Sequence, residues 1–422
     1  MGHPGSSSCR NKVNFTRSFH PMRSLGYYSG TGISSGDRMK FSVDAHAIGR
    51  HLTGNEVYIR NLLHSFAGLD RESEFITYVS VDGPSPWIPA RFETRRVSAN
   101  PFVRLGFELS GKLREDCPDL LHVQYTAPLR CPVPVVVSVH DVSFLEHPEF
   151  FPAYRALQLR LTVSRTVRSA AKILTVSDFS SAAIQRAYGV DPDRITVAPN
   201  AAAPEFRPLH IDNALDGVRT RFQLPAPFIL SVGDLQPRKN QIGLIKAFAE
   251  LVKSFPQLRH RLVFAGKETW MGAKVREAAK ESGVGDRIRF LGYVTDQDLL
   301  HLYNACDLFV FPSFYEGFGL PILEAMACGR AVTCSNTSAV PEVADGAAIL
   351  FNPDSIPEMA RAMADLLRDA ELRARMERLG QQRAALFSWQ KSAQKTLDVY
   401  YEVAERNRRV RLDRTPASIS TR

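Results

Sequence analysis

Two hydrophobic rhythms alternate along the chain. Short apolar runs of strand length come first, for example residues 120–125, 133–139, 228–232 and 308–311. Between them lie longer stretches in which apolar positions return every three or four residues, as in 57–66, 154–170, 244–255 and 356–367. The first kind suits strands buried on both faces, and the second suits helices that pack on one side. Regular alternation of the two predicts parallel sheets covered by helices. Further strands are expected at 41–44, 75–81, 91–97, 172–176 and 195–197, then at 261–267, 288–294 and 331–333, with 338–342 and 349–351 finishing the second sheet. Helices are also expected at 104–113, after the cap candidates Ser177 and Asp178, at 320–328, at 370–379 and from Trp389 to about Arg406.

Composition changes this picture mainly at the ends. The chain has 422 residues, 44% hydrophobic and 23% charged, which suits two or three globular domains. Residues 1–38 carry five Lys or Arg against one acid, and residues 406–422 carry six Arg against one acid. Those two segments account for the whole formal charge of +9, so the body between them is near neutral. A nucleic-acid-binding body is not expected. The basic ends leave room for peripheral contact with the inner face of a membrane. Six cysteines are scattered without a CxxC pair, so a reduced, cytoplasmic setting without zinc is the simplest expectation. No apolar run approaches the roughly 20 residues that span a bilayer. Residues 1–38 are rich in Gly, Ser and Arg and are expected to be a disordered extension, with Met39 as the natural start of translation.

The most informative stretch is 306–334. A strand (308–311) ends at Pro312 and Ser313, and the turn Glu316-Gly317-Phe318-Gly319 follows. The helix after it has Pro321 in its first turn and Gly329 at its stop. Strand, glycine turn and helix form the phosphate-binding half of an α/β unit. Glycines let backbone N–H groups approach an anion at the positive end of a helix dipole. Two carboxylates, Glu316 and Glu324, bracket the turn. A carboxylate repels phosphate, so its natural partners there are neutral hydroxyls. Phosphate with several hydroxyls describes a sugar nucleotide.

The spacing Glu316-x7-Glu324 resembles the E-x7-E signature of retaining glycosyltransferases of family 4, which have the α/β GT-B fold of two Rossmann-like parallel-sheet domains facing a cleft. The resemblance implies domains at 39–208 and 225–388, a linker at 209–224, a helix at 389–406 that returns to the first domain, and a disordered basic tail at 407–422. It implies that Glu316 contacts the transferred sugar, that Gly317, Phe318, Gly319 and Leu320 supply turn groups to sugar and diphosphate, and that Glu324 meets the ribose. His140, at the end of the apolar strand 133–139, matches a histidine that positions the donor sugar. Arg238 and Lys239, in the sequence Pro237-Arg238-Lys239-Asn240, match the cation pair that steadies the leaving diphosphate and resemble a mannosyltransferase-like subgroup. The common arrangement has Arg directly after the glycine, where this chain has Asp234. Gly54 matches a glycine loop that opens a helix toward the diphosphate, and backbone groups near Val294 match the place that holds the base.

These expectations define a metal-independent hexosyltransferase without a cofactor. Its donor is a nucleoside-diphosphate sugar, GDP-mannose by first choice, and its acceptor a hydroxyl of a polysaccharide or lipid-linked glycan of the cell envelope. The helix 104–113 is expected to be amphipathic, with basic and apolar residues available to a lipid-linked acceptor. Asp296-x-Asp298 and Asp191-x-Asp193 look like metal motifs, but each sits at a helix start or turn, where acids suit capping. Alternatives on the same fold are a sugar-nucleotide epimerase and a non-catalytic sugar-nucleotide-binding subunit. A glycosidase needs a carboxyl pair about 5 Å apart, or roughly 6.5–9.5 Å for inversion, which fits Glu316 and Glu324 poorly.

Overall fold

The computed structural model describes residues 38–50, 53–81 and 86–414. The expected N-terminal extension up to residue 37 and the last eight residues of the expected tail lie outside them. Among the described residues, thirteen strands form two all-parallel sheets. The first holds β1 (Lys40–Asp44), β2 (Glu74–Val79), β3 (Glu93–Arg96), β4 (Leu120–Gln124), β5 (Val135–Ser138), β6 (Lys172–Thr175) and β7 (Ile195–Val197), in the order β3-β2-β1-β4-β5-β6-β7. The second holds β8 (Phe228–Val232), β9 (Arg261–Ala265), β10 (Ile288–Phe290), β11 (Leu308–Phe311), β12 (Val332–Ser335) and β13 (Ile349–Phe351), in the order β10-β9-β8-β11-β12-β13. Both are doubly wound parallel sheets, as the alternating rhythm predicts, and the pair fits the two-domain GT-B arrangement that the resemblance implies.

In each sheet the winding reverses at one pair of neighbours, β1 and β4 in the first, β8 and β11 in the second. Register there is set by Phe41 opposite Leu120 and by Phe309 opposite Leu230. Side chains of both faces are buried, so the central strands are mainly apolar, with a few buried polar residues among them. Helices diverge on either side of a reversal and leave a crevice beyond the carboxyl ends of the strands, where ligands bind in such sheets.

Three expected elements come out differently. Residues 338–342 do not add a strand: Val340–Ala344 is a short helix. Pro341 has no N–H for a ladder and suits a first helical turn. The expected linker 209–224 is mostly a helix, Ile211–Phe222, whose Ala214 and Val218 are buried in the second domain's core. Gly217 lets this helix pack closely; a Cβ there would lie 2.8 Å from the His301 ring. The last helix runs Trp389–Arg414, past the expected end at Arg406. Its extra turns have partners. Arg408 forms a fork on Asp119 with contacts of 2.8 and 2.9 Å, and Arg409 pairs with Glu405 one turn back.

That last helix belongs spatially to the first domain. Trp389, Ala393, Leu397, Tyr400 and Val403 share a core with Phe41, Tyr58, Leu62 and Phe66.

Candidate active site

The segment after β8 explains the Pro-Arg-Lys-Asn sequence locally. Pro237 opens a single 3-10 turn, Pro237–Lys239, and Asn240 ends it in the left-handed region at φ 53°. The Asn240 side chain then caps the helix Gln241–Ser254 by accepting from the Gly243 N–H at 3.2 Å, and donates to the Pro353 carbonyl at 2.8 Å. This pins the two preceding cations. Gly233, at φ 151°, leaves room for the Lys239 stem, whose carbons lie 3.2–3.5 Å from where a Cβ would be.

Both cations reach the turn after β11. Arg238 Nη1 donates to the Tyr315 carbonyl at 2.7 Å and to Glu316 Oε2 at 2.5 Å. Lys239 Nζ donates to Glu316 Oε1 at 2.6 Å and lies 4.9 Å above the Phe311 ring. Glu316 is 6% exposed. Its burial would raise the carboxyl pKa, but the two cations overcome this and hold it at about 2. The charge pattern differs from the sequence expectation in one respect: Glu316 is not free for hydroxyls but is the present partner of both cations. Glu324, one helical turn in on Leu320–Ala327, behaves oppositely. Burial lifts its carboxyl to about 7, although the Tyr303 hydroxyl donates to Oε2 at 2.8 Å.

The turn itself is the seam between the domains. A Cβ on Gly317 would sit 2.1 Å from the His140 carbonyl oxygen, so only glycine fits. The Gly317 carbonyl accepts from Ser177 Oγ at 2.7 Å and Ser180 Oγ at 3.1 Å, and Ser180 Oγ also donates to the His140 carbonyl at 2.8 Å. Ser177 is therefore more than the expected helix cap. Beside it, Glu342 accepts from the N–H groups of Asp178 and Phe179 at 2.9 and 3.0 Å. Gly319, at φ 109°, precedes the helix Leu320–Ala327. The Phe318 ring packs on Phe387, and Leu320 lies against the first domain's core.

On the first-domain side, His140 is fixed by neighbours that the sequence reading passed over. The Gln124 amide nitrogen donates to the Asn55 carbonyl at 3.2 Å, which turns its oxygen toward His140 Nε2, 2.9 Å away. An amide oxygen only accepts, so Nε2 carries the proton and Nδ1 keeps its lone pair. The ring stands edge-on to Tyr58, centroids 4.6 Å apart, and burial pushes its pKa down to about 4. The imidazole is thus neutral near pH 7. Behind it, Tyr58 and Ser138 hydroxyls lie 2.8 Å apart, and His122 contacts Ser138 at 2.7 Å and Tyr400 at 2.6 Å. A sequence signal existed: His122, Gln124 and Ser138 interrupt otherwise apolar buried strands.

The remaining predicted positions lie on other elements, and Arg60 of the helix that carries Gly54 reaches Asp296, two residues after Val294. Gly54 lies in the first turn of the helix Thr53–Leu69, and a Cβ there would meet nothing within 4 Å. The Val294 side chain is buried in the second domain's core, so only its backbone is available to a ligand. Asp296 pairs with Arg60 at 2.5 Å, and Asp298 forms a capping box with Thr295. Asp191 caps the turn Pro192–Arg194. Among the described residues, no cluster of three His, Cys, Asp or Glu could hold a metal ion.

Known proteins share this architecture. The family model described as Glycosyltransferase Family 4 matches residues 48–206, and Glycosyl transferases group 1 matches 218–383. O-antigen chain mannosyltransferase B of Escherichia coli is 35% identical over 266 residues, 63% of this chain and 69% of that protein. Sucrose-phosphate synthase from Thermosynechococcus elongatus superposes with a TM-score of 0.72 at 20% identity, over 87% of this chain and 99% of the other. Anabaena HepE in complex with UDP-glucose gives 0.68 at 20% identity, over 86% and 100%.

Proposed function

Because the chain belongs to glycosyltransferase family 4, we propose that it moves a hexose from a nucleoside-diphosphate sugar to a hydroxyl of a polysaccharide or lipid-linked glycan, with retained anomeric configuration. Mannose from GDP-mannose is the first choice, since the E. coli relative is a mannosyltransferase. The observation that carries the reading is the meeting of Arg238, Lys239 and Glu316 at the β8/β11 reversal, against the His140 backbone.

In this proposal the donor diphosphate competes with Glu316 for the two cations. Arg238 and Lys239 then offset the charge that develops on the leaving group, a role assigned to them instead of a metal ion. Glu316, released from them, accepts sugar hydroxyls. His140 offers its Nδ1 lone pair to another hydroxyl and, being neutral, adds no charge. Glu324 meets the ribose, and the backbone around Gly54 and Val294 approaches the diphosphate and base. The acceptor oxygen bonds to the anomeric carbon as the bond from that carbon to the phosphate oxygen breaks. The acceptor proton passes to the leaving phosphate on the same face, giving a glycoside and a nucleoside diphosphate.

Thermal-shift titration with GDP, UDP and ADP, followed by donor hydrolysis with the best binder, tests this. GDP is expected to raise the melting temperature most, and Lys239→Ala to abolish the shift. No shift with any of the three would overturn the reading.

A further inference from the structure

The apolar surface of the first domain is unevenly distributed. Phe102, Phe107, Leu129, Tyr154, Leu157 and Leu161 are each between 57% and 77% exposed. Hydrogen bonds bring their segments together. The Leu129 N–H donates to the Leu105 carbonyl, joining the 126–131 loop to the 101–108 segment. Thr126 meets Thr162, and Arg165 Nη1 donates to the Pro128 carbonyl at 3.1 Å, joining the same loop to the helix Ala153–Ser169. Exposed patches of this kind mark an interaction site in a water-facing protein.

On the helix Ala153–Ser169, Tyr154, Leu157 and Leu161 follow at intervals of three and four and so form one outward stripe. The same helix carries Arg155, Arg160, Arg165 and Arg168 and no acid. An apolar stripe on a helix whose charged residues are all cations suits an anionic bilayer surface. Charge argues against a second copy as occupant, because a two-fold contact through this face would set like charges against each other. Position agrees. The 101–108 segment, the 126–131 loop and the first half of the helix all follow carboxyl ends of strands, the edge of the sheet that carries His140. The basic, amphipathic surface expected at 104–113 is not the one seen: Arg104 is buried, with Nε 3.6 Å from Asp44 Oδ2.

We propose that Tyr154, Leu157 and Leu161, with Phe102, Phe107 and Leu129, form a docking face that inserts into the headgroup region of a membrane rich in anionic phospholipid, with the exposed Arg155, Arg160 and Arg168 holding the phosphates. The face stands the molecule on the bilayer with the open edge of its first sheet near the lipid surface.

Co-sedimentation of the full chain tests it, with vesicles of phosphatidylcholine alone and mixed with phosphatidylglycerol. Binding is expected to the mixed vesicles and to weaken with salt. Leu157→Glu/Leu161→Glu should cut partitioning by about tenfold or more while the melting temperature stays put, because both side chains are exposed. The double variant keeps both basic termini, so its loss of binding is read at the helix. Donor hydrolysis in solution reports separately on the proposed transfer reaction. Wild-type protein that ignores anionic vesicles, or a double variant that binds them equally well, overturns the proposal. So does a dimer in light scattering that the variant dissociates, which would assign the face to a second copy.

Discussion

The two sides of the cleft solve the same problem with different chemistry. At the β8/β11 reversal the polar groups are ions: one buried carboxylate holds two cations within 2.6 Å. Across the seam, around β4 and β5, six uncharged groups, His140, Gln124, Tyr58, Ser138, His122 and Tyr400, are joined by hydrogen bonds and ring contacts, with the Asp141 carboxylate beside His140. A charged site can exchange one anion for another with little rearrangement. A neutral network cannot do this, but it fixes the direction of each lone pair. On the second-domain side the charge is gathered in one ion triad, on the first-domain side hydrogen bonds orient the uncharged groups around His140, and the two meet at Gly317.

The largest effect is expected where the charged half is unbalanced. Glu316→Ala leaves two buried cations side by side, so urea unfolding should become easier by about 3–5 kcal/mol. Added nucleoside diphosphate should then stabilise the variant more than the wild type. An unchanged unfolding midpoint would show that this half is not balanced by Glu316. Next comes the meeting point. Gly317→Ala drives a methyl group into the His140 carbonyl and should cost about 1–3 kcal/mol. Donor hydrolysis should fall sharply, and small-angle scattering should register a looser particle. Normal hydrolysis in this variant would mean the two halves work apart.

The neutral half should announce itself through pH. His140 and His122 have folded-state pKa values of about 4 and 3, below the ordinary 6.5. Their contribution to stability is full above pH 6.5 and is lost as pH falls toward those values, at about 1.4 kcal/mol per histidine per pH unit within the window. Glu324 works the other way. Its raised pKa of about 7 contributes stability below pH 4.5 that is lost as pH rises through 7. Glu316, held at about 2, changes only below pH 4.5. Melting curves of wild type, His140→Asn and Glu324→Gln between pH 4.5 and 7.5 separate these slopes. The expected result is a shallower acid limb in the first variant and a shallower neutral limb in the second. Equal slopes in all three would remove the electrostatic contrast between the halves.

The smallest effect on folding is expected at Gly54→Ala, where open space receives the methyl group. Stability should hold or rise by up to about 1 kcal/mol, while KM for the donor rises several-fold. An unchanged KM would remove Gly54 from the site.

Features that depend on neighbours in sequence were legible beforehand. The strand, glycine turn and helix of 308–327 and the Pro237–Asn240 turn are local, and their residue types dictate them. The ion triad needed one further fact, the adjacency of β8 and β11, which a strand pattern alone does not supply. The orientation of His140 was out of reach for the same reason. Gln124 from β4 and Asn55 and Tyr58 from the helix Thr53–Leu69 converge on it, and Tyr400 closes the network behind them from more than 250 residues away. The helix Ile211–Phe222 escaped notice because Gly217 and its polar residues mask a narrow buried stripe of Ala214 and Val218. The end of the last helix was misplaced because its charge suggested a loose tail, whereas Arg408 has Asp119 to hold it.

The placement of Trp389 and Tyr400 in the first domain's core has a consequence for biogenesis. The second domain has all its strands and its own covering helices once residue 384 has left the ribosome, whereas the domain translated first still lacks one side of its core. Maturation should therefore finish in the opposite order to synthesis. Nascent chains stopped before Trp389 should show a protease-resistant later half and a digestible earlier one.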